Sequence, residues 1–369
     1  MPASVIDAID DHIRLESEIG GYEAEAARQE AIAAVYDDIG AIVGAPARNM
    51  AIVANATDGF TRSMSAFDLR PGDVIIASSC DYTSYQITFL ALAKRLGVEI
   101  RHAPDLPEGG IDAGAVREML RRERVRLVHV SWIPTNSGLV QDVASVGAVC
   151  EEAGVPYLVD ACQAVGQLEI DVAAIRCDYL SVTARKFLRG PRGIGFMYVS
   201  DEALARGDHP LFVDMRGATW RDVDRYELVD RAQRFEDWEF SYALVLGLGA
   251  AARYARKVGI GEGGRRAAAL AATLRRELAT IDRVRVLDRG REQCAIVTID
   301  AHGRDASDLV AALGRRGINT AASLRWYGLI DFTKKGTTSA LRISPHYYNT
   351  EEEIASAVGS LREIIGTGQ

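Results

Sequence analysis

The sequence predicts an α/β protein with a large, mostly parallel sheet domain and a smaller α+β domain at the C-terminus. Three observations carry that prediction. From about residue 50 to about residue 200, short apolar runs alternate with stretches of helical periodicity, the pattern of a parallel sheet covered by helices on both faces. After residue 240 the order changes to a long helical stretch followed by mixed strands and helices. A length of 369 residues, at about 150 residues per domain, suggests two domains.

Taken in order, Val5, Ile6, Ile9 and Ile13 mark one helical face, and Gly20-Gly21 breaks it. Ile32, Val35, Tyr36, Ile39, Ile42 and Val43 mark a second helix, from Glu23 to about Val43. Strands are expected at 51–53, 74–77, 98–100, 127–130, 157–159, 179–182 and 195–199, with helices at 60–67, 84–96, 113–123 and 143–153. A charged, Arg-rich linker runs from Gly207 to Arg234, and one long helical region from Ser241 to about Ala279. Strands at 294–300 and 340–343 and helices at 307–316 and 351–365 complete the chain. The expected division is an N-terminal helical segment over 1–22 that packs with the small domain, a large domain over 23–240 and a small domain over 241–369.

Composition narrows the function. Hydrophobic residues make up 48% and charged residues 25% of the chain, the values of a globular protein. A net charge of −8 argues against nucleic acid as a partner. No apolar run reaches the ~18 residues of a membrane helix, and Asp7, Asp10 and Asp11 stand where a secretory leader would be basic and then apolar. The expected location is cytoplasmic, without a membrane partner. The five cysteines, Cys80, Cys150, Cys162, Cys177 and Cys294, include no C-x-x-C pair and read as reduced thiols; no metal is expected. Only five of the 43 basic residues are lysines, Lys94, Lys186, Lys257, Lys334 and Lys335, which leaves few candidates for amine chemistry.

The chemistry concentrates after two strands. Tyr157-Leu158-Val159-Asp160-Ala161-Cys162-Gln163-Ala164-Val165-Gly166 is an apolar strand ending in aspartate. The next strand ends in Thr183-Ala184-Arg185-Lys186, ahead of Gly190-Pro191-Arg192-Gly193. Parallel sheets place ligands at the carboxyl ends of their strands, and a lysine there suits Schiff-base chemistry beside a phosphate. Asn55-Ala56-Thr57-Asp58-Gly59-Phe60 is a strand-to-helix turn that can present backbone N–H groups to an anion.

Together these motifs resemble the class V aminotransferase-like branch of the fold-type I pyridoxal-phosphate (PLP) enzymes, which includes the cysteine desulfurases. The resemblance spans nearly the whole chain and implies PLP as cofactor, a small-molecule amino-acid substrate and a homodimer. It implies that Lys186 forms a Schiff base with PLP and later moves the Cα proton. Asp160 would pair with the pyridine nitrogen, and Gln163 would hydrogen-bond the ring's phenolic oxygen. Ala56, Thr57, Thr183 and Arg185 would form the phosphate cup, with Arg185 standing where desulfurases usually have histidine. Tyr82, after Asp81, would stack on the ring and take part in catalysis, again in place of histidine, although its phenol, with an ordinary pKa near ~10, suits acid–base work less well. Arg342 would clamp the substrate carboxylate, and Asn136, in Trp132–Gly138, would be a polar contact in the substrate pocket.

The chain also departs from the family pattern. No cysteine lies between Ile318 and Ser339, where desulfurases carry the catalytic thiol, so persulfide formation there is not expected. Glu239 stands where the family's dimer partner sends a threonine to the phosphate. The chain opens at Met1-Pro2, whereas relatives usually begin several residues earlier, so a shortened start is expected. Its opening (His12-x-x-x-Glu16-x-Glu18-x-Gly20-Gly21-Tyr22) and its ending (Leu341 to His346) are similar to those of hercynylcysteine sulfoxide lyases, the C–S lyases of ergothioneine biosynthesis. The leading expectation is a PLP-dependent lyase that cleaves a C–S bond of a cysteine-derived substrate by β-elimination. The alternatives are a class V aminotransferase or epimerase and, from another class, a non-catalytic binding protein on the same fold.

Overall fold

A computed structural model describes residues 1–366. The large sheet holds β1 (Met50–Val53), β2 (Val74–Ala77), β3 (Glu99–His102), β4 (Val125–Ser131), β5 (Tyr157–Asp160), β6 (Tyr179–Thr183) and β7 (Gly195–Val199). Their order is β1-β7-β6-β5-β4-β2-β3. Strands β3, β2, β4, β5 and β6 pair in parallel. β7 runs antiparallel to both β6 and β1, a reversal that apolar runs alone do not encode. Strands β1, β2, β5 and β6 are buried at every residue, as expected for a sheet covered on both faces. Their carboxyl ends therefore meet in one place, where Asp160 ends β5 and Thr183 ends β6.

The charged linker contains more structure than its composition suggests. An exposed hairpin, β8 (Ala218–Asp222) with β9 (Arg225–Leu228), and a 3-10 turn (Ala232–Phe235) lie within it. The long helical region divides at Gly259 (φ +89) into helices Tyr242–Val258 and Ile260–Leu278. The first of these packs against the N-terminal helices Ala3–Ile19 and Gly21–Gly40. The C-terminal sheet, β10 (Val284–Val286), β11 (Val297–Ala301), β12 (Ala321–Leu324) and β13 (Ser339–Ile343), is antiparallel in the order β10-β11-β13-β12. Among the described residues no helix is long and apolar enough to cross a membrane.

One buried acid sits at the start of the sheet. Glu236 is 1% exposed; it accepts hydrogen bonds from the Ile52 amide (2.7 Å) and the Tyr36 hydroxyl (3.0 Å). Burial raises its pKa from the ordinary 4.5 to about 7, although Ile52, Arg216, Tyr36 and Arg231 all favour the anion. A raised folded-state pKa gives stability that is complete below the unfolded value and is lost as pH rises through the folded one. Urea unfolding should therefore show Glu236→Gln gaining on wild type between pH ~4.5 and ~7, by about 3 kcal/mol in total. An equal difference between the two proteins at pH 5 and pH 8 would contradict this assignment.

Candidate active site

Lys186 follows β6 and is half-buried. Its Nζ lies 6.0 Å from the centre of the Tyr82 ring. Burial lowers its pKa; Cys162 and Asp160 oppose the shift, and Arg342 and Arg185 add to it. The turn after Lys186 is closed by the Arg189 amide on the Lys186 carbonyl (2.9 Å) and the Gly190 amide on the Ala184 carbonyl (2.8 Å). Gly166, which ends the Asp160 motif, has φ +95. A Cβ there would overlap the Phe187–Leu188 peptide, so glycine lets the segment after β5 rest against the chain carrying the lysine.

Asp160 is 6% exposed. One of its oxygens accepts the Cys162 amide (2.9 Å) and the other the Ser131 hydroxyl (3.2 Å). Ser131 is a junction not apparent from the sequence. Its hydroxyl also accepts the Tyr82 amide (3.2 Å), and its own amide donates to Asp81 (2.7 Å). Asp81 is further held by the Ser78 amide (2.9 Å) and hydroxyl (2.6 Å) and by His129 Nδ1 (3.0 Å). Burial opposes its ionisation, but His129, Ser78 and the Ser131 amide outweigh burial and keep its pKa below the ordinary value. This network fixes Tyr82, which caps helix Thr83–Leu96 and is 36% exposed, beside Asp160.

Gln163 is 2% exposed, and neither its amide oxygen nor its nitrogen has a hydrogen-bond partner. An uncompensated buried amide is costly, and a ligand with a polar ring substituent would satisfy it. Ala56 and Thr57 begin helix Ala56–Ser65, which is capped by Asn55 accepting the Asp58 amide (3.1 Å). Thr57 is half-buried, Thr183 buried and Arg185 exposed. Asp58 also pairs with Arg62 (2.8 Å), which reaches on to Asp237. Glu239 is exposed and shares a cavity wall with Asp58, Arg62 and Gly193.

Arg342, on β13, donates to the Thr135 carbonyl (3.0 Å) and to the Ser344 hydroxyl (3.0 Å). Burial lowers its pKa; Cys294 and Asp288 oppose the shift, and Arg185 adds to it. Asn136 Nδ2 donates to the Tyr327 carbonyl (3.1 Å), while its Oδ1 is buried without a partner. That loop is held by Asp288, which accepts the Gly138 amide (2.8 Å), the Thr298 hydroxyl (2.6 Å) and Arg275 Nε (2.8 Å). The Asp288 side chain is fully buried, so Asp288→Ala leaves Arg275 unpaired and should cost about 3–5 kcal/mol in denaturant unfolding. A loss below about 1 kcal/mol would show that the pair does not brace the loop.

The residues expected from the sequence thus lie on converging elements: the ends of β5 and β6, the starts of two helices, the 132–138 loop and β13. They fit PLP by their chemistry, with a carboxylate for the ring nitrogen, an unpaired amide for the ring oxygen, helix-start amides for a phosphate and a lysine facing an aromatic ring.

Comparison with known proteins identifies the family. The family model "Aminotransferase class-V" matches residues 1–356. A probable cysteine desulfurase of Methanothermobacter thermautotrophicus is 27% identical over 337 residues, covering 90% of this chain and 83% of the relative. One of Xylella fastidiosa is 27% identical, covering 91% and 80%. The apo cysteine desulfurase of Thermococcus onnurineus shares the fold, with TM-score 0.90, 22% identity and coverage of 99% and 92%. A cystine C–S lyase in complex with its product cysteine persulfide also shares it, with TM-score 0.87, 23% identity and coverage of 98% and 94%. With its match to the family model over nearly the whole chain, the protein belongs to the class-V aminotransferase family and is a PLP-dependent enzyme of the cysteine desulfurase-like fold.

Proposed function

We propose that the protein is a lyase that cleaves the Cβ–S bond of a cysteine-derived substrate by β-elimination, without an enzyme persulfide. The observation that carries this reading is the segment between Ile318 and Ser339, which holds no cysteine. It folds as β12, a turn at Arg325–Tyr327 and a short helix, Leu329–Lys335. Thr83 and Asn136 both donate to the Tyr327 carbonyl, and Lys334 pairs with Asp105 (2.5 Å). The segment is therefore tied to the site's edge and carries no acceptor thiol. Cys80, Cys162 and Cys294 do not replace it, because burial pushes the thiol pKa of each far up and only a thiolate is nucleophilic.

When bound, PLP supplies the electron sink that stabilises negative charge at Cα. Lys186 would hold the cofactor and take the Cα proton, and its lowered pKa increases the share of neutral amine available as base. Asp160 would keep a proton on the ring nitrogen, and Gln163 would hydrogen-bond the ring oxygen. Thr57, Thr183, Arg185 and the helix-start amide at Ala56 would bind the phosphate. Tyr82 would cover the ring, Arg342 would fix the substrate carboxylate and Asn136 would bound the pocket. As the Cα proton is removed, the Cα–H electron pair would form a Cα=Cβ bond while the Cβ–S bond breaks; the sulfur would leave with its bonding pair and take up a proton, and water would hydrolyse the resulting enamine to pyruvate and ammonia. A hercynylcysteine sulfoxide-type substrate is the finer form of this reading, supported by the His12–Tyr22 opening and the Leu341–His346 ending.

The test is to incubate the protein with cysteine S-conjugates and their sulfoxides and assay pyruvate, beside an amino-acid/keto-acid pair. Pyruvate release supports elimination. Stoichiometric amino transfer with no pyruvate would assign an aminotransferase instead.

The same reading includes a homodimer with active sites near the interface. Phe212, Met215, Trp220, Val223 and Trp238, on or beside the hairpin and the 235–239 segment, are exposed, and an isologous contact would cover them. Sedimentation should show a dimer. A fully active species of 40.0 kDa would contradict it.

A further inference from the structure

The segment that follows β13 reaches back under the lysine. His346 is 8% exposed, and its Nε2 lies 3.2 Å from the carbonyl oxygen of Phe187, the residue after Lys186. Its Nδ1 accepts the Tyr347 amide (3.0 Å). A nitrogen that accepts an N–H carries no proton, so in the neutral ring the proton is on Nε2 and points at Phe187. The ring is also clamped by stacking, on Phe187 at 5.3 Å and 22° and on Tyr348 at 4.7 Å and 16°. The other side of the same peptide rests on Gly166, where no side chain fits. The turn ends at Arg189, a non-glycine residue at φ +62. Its guanidinium donates to the Tyr347 hydroxyl (2.7 Å) and lies 4.6 Å from the Tyr348 ring centre. A left-handed residue is held by its surroundings, and here the surroundings are Tyr254 and the two tyrosines that follow His346 in sequence.

We propose that His346 is a positioning residue for Lys186: by donating Nε2–H to the Phe187 carbonyl it fixes the Phe187–Leu188 peptide, one residue beyond the lysine, and with it the turn that carries Lys186. The stacked rings hold the donor in place, and Gly166 closes the other side. His346 shares a short segment with Arg342, so the support of the lysine and the candidate carboxylate clamp belong to one stretch of chain. Burial, aided by Arg189, lowers the pKa of His346 to about 4, so the ring remains neutral and keeps this tautomer at neutral pH.

The inference goes beyond the proposed reaction but rests on Lys186 binding PLP. Absorbance of Lys186→Ala tests that premise separately. His346→Phe keeps a stacking ring and removes the donor. His346→Gln loses the ring but can place an amide N–H at the same carbonyl. Each holoenzyme is titrated from acid to alkaline pH while the absorbance of bound PLP is followed, with thermal unfolding recorded in parallel. His346→Phe should displace the spectral midpoint by about half a pH unit or more, the scale of one lost hydrogen bond. His346→Gln should return it to within about 0.2 unit of wild type, even though its melting temperature falls as well. A wild-type midpoint in His346→Phe would overturn the proposal, as would equal displacement in both variants. If His346→Phe does not fold, the glutamine variant decides by itself: a wild-type midpoint supports the proposal and a displaced one overturns it.

Discussion

Lys186→Ala should release PLP that wild type retains through gel filtration, and should lower turnover by at least about 10²–10⁴-fold, the contribution of a positioned acid–base group. On the proposed reading the loss has two sources, because the same amine would hold the cofactor and move the Cα proton. Its environment suits both tasks. Burial lowers the pKa of the amine while Asp160 and Cys162 limit the fall, and the Tyr82 ring faces it at 6.0 Å. Lys186→Arg should not restore turnover, since guanidinium does not deprotonate at neutral pH. Retention of at least one tenth of wild-type turnover by Lys186→Ala would remove the lysine from the chemistry.

Arg342→Ala should lower kcat/KM for an amino-acid substrate by about 10²-fold or more, the scale for truncating a buried, hydrogen-bonded charge partner. The effect should largely vanish for a substrate amide that lacks the carboxylate. Arg342→Lys should recover only part of the loss. An ammonium cannot hold the Thr135 carbonyl and the Ser344 hydroxyl while also presenting a fork to the substrate. Equal losses for acid and amide would assign Arg342 to bracing the 132–138 loop alone.

How much of this was legible in the sequence follows from where each signal resides. Apart from β3, which is mostly exposed, the strands of the large sheet are largely buried and stand out as apolar runs. The strand-end positions of Asp160 and Lys186 followed directly from them. The direction of β7 was not legible, because an apolar run has no polarity. The β8–β9 hairpin was hidden by its exposed, charged strands, and Gly259 in an otherwise helical stretch gave too weak a break to divide the 241–279 region. At the site, residues in contiguous motifs were found. Those joined only by the fold were not. Ser131, which links Tyr82, Asp81 and Asp160, stands 49 positions from Tyr82 and 29 from Asp160. Asp288 meets Gly138 from 150 positions away, and His346 meets Phe187 from 159. Such buried polar junctions are a single serine, aspartate or histidine in sequence, and only packing shows that their partners converge.

The central claim is that Lys186 is the residue that holds PLP, and with only five lysines in the chain it can be decided chemically. The PLP-loaded protein is reduced with borohydride, digested, and the pyridoxyl-bearing peptide identified by mass spectrometry. The account predicts a single modified peptide containing Lys186. A pyridoxyl group on Lys94, Lys257, Lys334 or Lys335, with Lys186 unmodified, would contradict it.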